Sequence, residues 1–142
     1  MTQRKLEEIA PDECMELLAQ VHVGRLVYQD DYGPAAVPVN FAMAGTDIVF
    51  RVEGGVKRHA MDQPVLAFEA DLLDTEQRSA WSVLVRGTGS EVPMDDVPDL
   101  VRRLTDGLPR PWAVGVHNIW LRITPTKVTG RRLTDPDGGT VF

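Results

Sequence analysis

The sequence predicts a mainly β fold, a small antiparallel barrel carrying short helices, and three observations support this. About six apolar or alternating runs of strand length follow one another along the 142 residues. Turn chemistry, Asp30-Asp31-Tyr32-Gly33 and Ala44-Gly45-Thr46-Asp47, separates the first three of them. The helical stretches fall at the start, the middle and late in the chain, without the regular alternation that a doubly wound α/β sheet requires. Several long strands with few exposed edges are best satisfied by closure into a barrel.

Pro11–Gln20 reads as an amphipathic helix. Pro11 suits the first helical position, Asp12 and Glu13 favour the positive helix end, and Cys14, Leu17 and Leu18 share one apolar stripe. Val23–Tyr28 alternates as a strand and turns into Ala35–Met43. Pro38 interrupts that second run; lacking a ladder donor, it marks an edge, a bulge or a place where backbone faces a ligand. Ile48–Val52 completes the next hairpin, and Gly54-Gly55 with Lys57-Arg58 opens a short helix. Pro64–Leu73 is apolar enough for a buried strand, and Glu76-Gln77-Arg78 makes a polar turn. Trp81–Val92 is a long strand in which Gly87-Thr88-Gly89 marks a bulge or barrel bend. Asp95–Gly107 reads as a helix with Val97, Leu100, Val101 and Leu104 at helical spacing and Gly107 as its stop. Leu108–Val116 is irregular, and Asn118–Arg131 is a last strand broken near Thr124-Pro125. Residues 1–133 form one domain; from Thr134 a Gly/Asp/Thr-rich segment, residues 134–142, is a flexible tail.

The formal net charge of −6 opposes broad binding to nucleic acid or to an anionic membrane, while leaving room for a local cationic site. The single cysteine, Cys14, excludes an intramolecular disulfide and a multi-cysteine zinc site, and reads as a buried hydrophobe. No apolar run approaches the roughly 20 residues that span a bilayer. The N-terminus carries no hydrophobic signal region, so the expected location is cytoplasmic. His22, His59 and His117 share no ligand spacing, no serine sits in a nucleophile elbow, and no carboxylate pair stands out.

The most informative stretch is Pro38–Arg58. A turn at 44–47 places Asn40 roughly opposite Arg51, both on one face. Glu53-Gly54-Gly55, a helix start and two adjacent cations, Lys57 and Arg58, then form a cradle suited to a phosphate. Each residue also has a plainer role: a solvated pair for Lys57 and Arg58, local strand termination for Asn40, and a cross-strand partner of Glu69 or Glu53 for Arg51. Trp81, Trp120 and Trp112 fit core or interface positions, Trp112 being the better pocket candidate in its proline-flanked segment.

In order and spacing, VGRLVY at Val23–Tyr28, VPVNFA at Val37–Ala42, VFRVEGGVKRHA at Val49–Ala60, WSVLVRGTGSEV at Trp81–Val92, RPW at Arg110–Trp112 and IWLRITPTKVTGRR at Ile119–Arg132 resemble the pyridoxamine 5'-phosphate oxidase-like proteins, the FMN-binding split-barrel superfamily. The resemblance runs from Pro11 to Leu133. It implies a homodimer with FMN in grooves at the subunit interface and a small-molecule substrate. It further implies that Val37, Pro38, Val39 and Asn40 run beside the isoalloxazine ring, and that Arg51 and Val52 contact the cofactor from the next strand. Lys57 and Arg58 match the phosphate-holding cations, Ser82 a polar position reaching the flavin from the other subunit, and Trp112 an aromatic that closes the pocket. Val56 replaces a small hydroxyl residue, and the Arg/His-rich C-terminal signature for pyridoxal phosphate is absent around Trp120-Leu121-Arg122, which argues against pyridoxamine 5'-phosphate oxidation itself. The expected function is an FMN-dependent oxidoreductase, since a flavin carries redox chemistry without catalytic side chains. The alternatives are a non-catalytic FMN-binding protein, or a deazaflavin- or haem-binding member of the fold, with Arg25, Arg51 and Arg86 available to a deazaflavin's acidic tail.

Overall fold

Alternation of apolar residues sets the inward face of most strands in the computed structural model, which describes residues 5–76, 79–104 and 119–134. The elements are β1 (Lys5–Ile9), α1 (Pro11–Leu18), β2 (Val23–Asp30), β3 (Gly33–Ala44), β4 (Asp47–Val52), α2 (Gly54–Met61), β5 (Leu66–Asp74), β6 (Ser79–Glu91), α3 (Val97–Arg102, preceded by a 3-10 turn at Met94–Asp96) and β7 (Ile119–Thr134). All strand pairs are antiparallel, in the order β1-β7-β4-β3-β2-β5-β6, and β6 pairs back onto β7 to close the barrel. The fold is mainly β, a closed barrel with short helices, as the sequence predicts. Among the described residues, no helix is long and apolar enough to cross a membrane.

The turns follow from their residues. Gly45 takes a positive φ of 62° between Ala44 and Asp47, and Gly33 one of 117°, where an Asp30 side chain accepts the Tyr32 amide at 2.8 Å. The core is led by Phe41, Phe50 and Phe68, with Leu26, Ile48, Leu66, Val83, Val85, Leu121 and Ile123 around them. Cys14 and Leu18 of α1, and Val56, Ala60 and Met61 of α2, pack on this core. A second, smaller cluster lies outside the barrel, where Leu100 of α3 meets Ala44, Val49, Val92 and Trp120.

Four expectations change. The described residues hold seven strands rather than about six: β1 was not predicted because KLEEI does not alternate, and pairing with Gly130–Thr134 creates it. The late helix does not run unbroken from Asp95; a 3-10 turn leads into α3, which ends at Arg102, and Leu104 instead bridges to Ala44, while Gly107 lies outside the described residues. The last strand is bulged rather than broken: Arg86 pairs with Lys127 and Gly87 with Pro125, so Thr126 is the extra residue, its hydroxyl donating to the Arg86 carbonyl at 3.2 Å. Gly87 has no side chain because a Cβ there would stand 2.2 Å from the Thr124 carbonyl oxygen. Finally Thr134, expected to open the tail, still pairs with Lys5 and Ser79.

Candidate functional site

β3 is longer than the strand beside it, and that mismatch creates an edge. Gly33–Asn40 pairs with β2, but β4 pairs only with Phe41–Ala44. The Phe41 amide donates toward β2, to the His22 carbonyl at 3.0 Å. By alternation, Pro38 and Asn40 direct their backbone polar groups to the opposite side, where β3 has no strand partner among the described residues. Pro38 therefore omits a donor where the ladder does not need one. Side chains divide the other way: Val37 and Val39 pack with the core, as does Val52 of β4, while Pro38 is exposed and Asn40 half-buried on the outer surface. By the same alternation the backbones of Val37 and Val39 face β2 and that of Val52 faces β7, so none of these three, expected beside the cofactor, offers a free polar group at this edge.

Phe41 opposite Phe50 sets a register that carries Asn40 opposite Arg51, and both lie on the outer surface because both phenylalanines point inward. Arg51 does not pair with Glu69 or Glu53. Its guanidinium lies 5.5 Å from the centre of the Trp120 ring, its neighbour across β4 and β7. Trp120 is buried within its own chain by the second apolar cluster. The Arg51 Nε is buried and has no hydrogen-bond partner among the described residues. A desolvated donor in that condition costs free energy until something accepts from it.

At the end of β4 the chain enters α2 through Glu53, which makes no side-chain cap. The first helical bond runs from the Lys57 amide to the Glu53 carbonyl at 3.1 Å. A Cβ on Gly54 or Gly55 would meet nothing closer than 3.6 Å, so both glycines leave open approach to the first turn. The Lys57 ammonium sits 3.0 Å from the Glu91 carboxylate, and Arg58 is exposed on the next position of the helix. One short segment carries an orphaned guanidinium N–H, a helix start without bulk and two adjacent cations, chemistry that suits a phosphorylated ligand.

Ser82 lies elsewhere, on the outer face of β6. It lines a cleft of about 730 Å³ with Glu69, Leu84, Arg86, Thr129 and Arg131. On that face Arg25 holds Glu69 at 2.9 Å and Asp71 at 3.5 Å. Burial and the neighbouring Asp71 carboxyl raise the Glu69 pKa against the pull of Arg25. Trp112 lies outside the described residues. Within one chain, then, Asn40, Arg51, Lys57 and Arg58 follow the end of one hairpin, and Ser82 belongs to a separate surface.

The sequence model of the pyridoxamine 5'-phosphate oxidase family matches residues 10–132. The chain belongs to that family. Its similarity to the uncharacterized protein Rv0080 of Mycobacterium tuberculosis is 35% identity over 136 positions, covering 92% of this chain and 87% of that one. Among solved structures it is similar to an FAD binding protein from Mycobacterium smegmatis, at 29% identity and a TM-score of 0.67, over 90% of this chain and 98% of that chain. An FAD-binding protein from Mesorhizobium loti has the same fold, with a TM-score of 0.74 at 21% identity, over 93% and 99% of the two chains.

Two residues of this oxidase-family chain stand at the site without any signal in the sequence. Glu91 reaches Lys57 only because β6 ends beside α2, a placement that no local pattern encodes. His59, read from sequence only as an isolated histidine, directs Nδ1 to the Gly55 carbonyl at 3.0 Å and Nε2 to Asp31 at 3.4 Å. The Gly55 carbonyl first, and Asp31 second, raise the His59 pKa, because both nitrogens donate only in the imidazolium. A raised folded-state value means this stabilisation is fully present below the unfolded pKa of about 6.5 and fades as pH rises through the folded value. Asp31→Asn should lower the His59 midpoint in an NMR titration without returning it fully, since the Gly55 carbonyl remains. An unchanged midpoint would show that Asp31 contributes nothing.

Proposed function

We propose that this chain binds a phosphorylated flavin, FMN, along the free edge of β3 and the start of α2, and acts as a flavin-dependent oxidoreductase on a small molecule. The observation that carries the reading is Arg51: a cation stacked on Trp120 with a buried, unsatisfied N–H, set between the Asn40 edge and Lys57 in a chain of this family. The FAD-binding relative from Mycobacterium smegmatis supports a flavin. Backbone groups of Pro38 and Asn40 would meet the polar edge of the ring, Arg51 would donate its Nε–H to an oxygen of the ligand, and Lys57 with Arg58 would hold the phosphate. The flavin itself would supply hydride and electron transfer. The protein's part is to position it, neutralise its phosphate and limit access. Mass spectrometry of the ligand that copurifies should find FMN; a chain that copurifies with no flavin and binds none on titration would overturn the reading.

The same proposal makes the protein a homodimer in which Ser82 faces the flavin of the other copy. An apolar row supports it: Leu6, Leu133, Ala80 and Leu73 stand side by side across β1, β7, β6 and β5, with Leu6 63% and Leu73 62% exposed. This row adjoins the one that carries Ser82 and would be covered by a second copy, as in permanent interfaces, which commonly bury about 2,000 Å² or more. Light scattering at micromolar concentration should give twice the 15.7 kDa of one chain. A mass of one chain would sink the shared groove.

A further inference from the structure

We propose that the cleft over β6 and β7 binds a small molecule carrying two or more negative charges, held by Arg86, Lys127 and Arg131. At about 730 Å³ it has the size of a small-molecule site. Its charge sets it apart. Arg25, Lys57, Arg102, Arg122 and Arg132 each hold a carboxylate. Among the described residues Arg86, Lys127 and Arg131 form no ion pair, and all three line this cleft. The chain has a net charge of −6, so carboxylates that could have met them are plentiful.

Strand register gives the arrangement. Arg86 stands directly opposite Lys127 across β6 and β7, and like charges so placed repel each other in the free protein. An anion that meets both relieves that repulsion. The next outward pair is Leu84 opposite Thr129, and the one after it is Ser82 opposite Arg131. The cleft floor thus has cations at both ends, with two hydroxyls and one apolar side chain between them. Lys127 and Arg131 are four residues apart on one strand, about 13 Å, a span that two long side chains can close around one ligand. Carboxylates bound the flanks. Glu69 on β5 is already held by Arg25 at 2.9 Å, and Glu8 on β1 stands in register with Arg131 without pairing to it. Those flanks and the overall negative charge disfavour an extended polyanion such as nucleic acid and favour a compact one. Resting on the flavin and dimer reading above, in which Ser82 faces the flavin of the other copy, this anion is the substrate, bound beside the ring.

The test is calorimetric titration of the full chain, saturated with FMN, with inorganic pyrophosphate as a compact multivalent anion. Pyrophosphate should bind without releasing FMN. Arg86→Gln and Arg131→Gln should each weaken it about tenfold, the loss of one charge-assisted contact. Arg131→Lys, which keeps the charge, should retain most of the affinity. Arg102→Gln removes the same charge from α3 and should change nothing. No binding at millimolar pyrophosphate overturns the proposal. An equal loss in Arg102→Gln also overturns it, as an effect of net charge, and so does release of FMN, which would put pyrophosphate in the flavin's phosphate site. If the chain takes up no FMN, the same titration without it decides the two readings separately: binding with this pattern of variants upholds the cleft while the flavin reading falls.

Discussion

Phe68→Ala should cost about 3–5 kcal/mol, lowering the melting temperature by about 10–15 °C in calorimetry. Phe68 is fully buried at the centre of the barrel, edge-on to Phe41 at 4.7 Å between ring centres and near Phe50 at 6.5 Å. Truncation loses the transfer free energy of the ring and leaves a cavity that a closed barrel cannot easily collapse. Gly24 makes the prediction sharper. A Cβ at Gly24 would stand 2.2 Å from Cζ of Phe68, so the glycine is part of the wall that admits the ring. Gly24→Ala alone should cost about 1–3 kcal/mol as overpacking. In the Phe68→Ala background it should cost clearly less, though not nothing, because the Glu69 carbonyl oxygen also lies 2.8 Å from that Cβ position. Strict additivity in the cycle would mean that ring and glycine do not meet.

Much of this barrel is legible in the sequence because its strands are amphipathic and its turns carry diagnostic chemistry. Gly45 and Gly33 both adopt the positive φ that their turns require. Pro38, from its missing donor, is read as an edge, a bulge or backbone facing a ligand, and among the described residues β3 has no strand partner on that side. What stayed hidden was pairing that owes nothing to local pattern. β1 becomes a strand because the Gly130–Thr134 half of β7 has no β4 beside it, the β4 pairing ending at Ile123. The residue count of a bulge is likewise a property of two strands together, so Thr126 reads as an interruption in one and as an insertion in the pair.

The candidate site divides along the same line. Asn40, Arg51, Lys57 and Arg58 are near in sequence, joined by one hairpin and one helix start, and so could be grouped from the chain alone. The partners of those residues are distant in sequence. Arg51 finds Trp120 rather than a carboxylate, and Lys57 finds Glu91, because closure of the barrel brings β6 and β7 to the mouth of the hairpin. Val37, Val39 and Val52 illustrate a further limit. Motif resemblance names positions, but strand parity decides that their side chains serve the core and their backbones pair with β2 and β7, leaving the free edge to Pro38 and Asn40.

Lys57→Ala should weaken FMN binding about ten- to a hundredfold. A charge-assisted hydrogen bond to a phosphate contributes about 1.5–3 kcal/mol, and each 1.4 kcal/mol is a factor of ten. The Lys57–Glu91 pair pulls this estimate in two directions. In the free protein the ammonium already has a carboxylate partner, so the phosphate gains only the difference between two anions. In Lys57→Ala the Glu91 carboxylate remains beside the site, so its repulsion of the phosphate is no longer offset by the ammonium. The loss for FMN should exceed the loss for riboflavin, which keeps the ring contacts but has no phosphate. Folding stability should hardly move, because an ion pair this exposed is worth about 0–1 kcal/mol. Paired titrations with FMN and riboflavin, alongside a thermal melt, separate these terms. Wild-type affinity for FMN in Lys57→Ala would place the phosphate somewhere other than the start of α2, and an equal loss for riboflavin would mean that Lys57 shapes the groove instead of holding an anion.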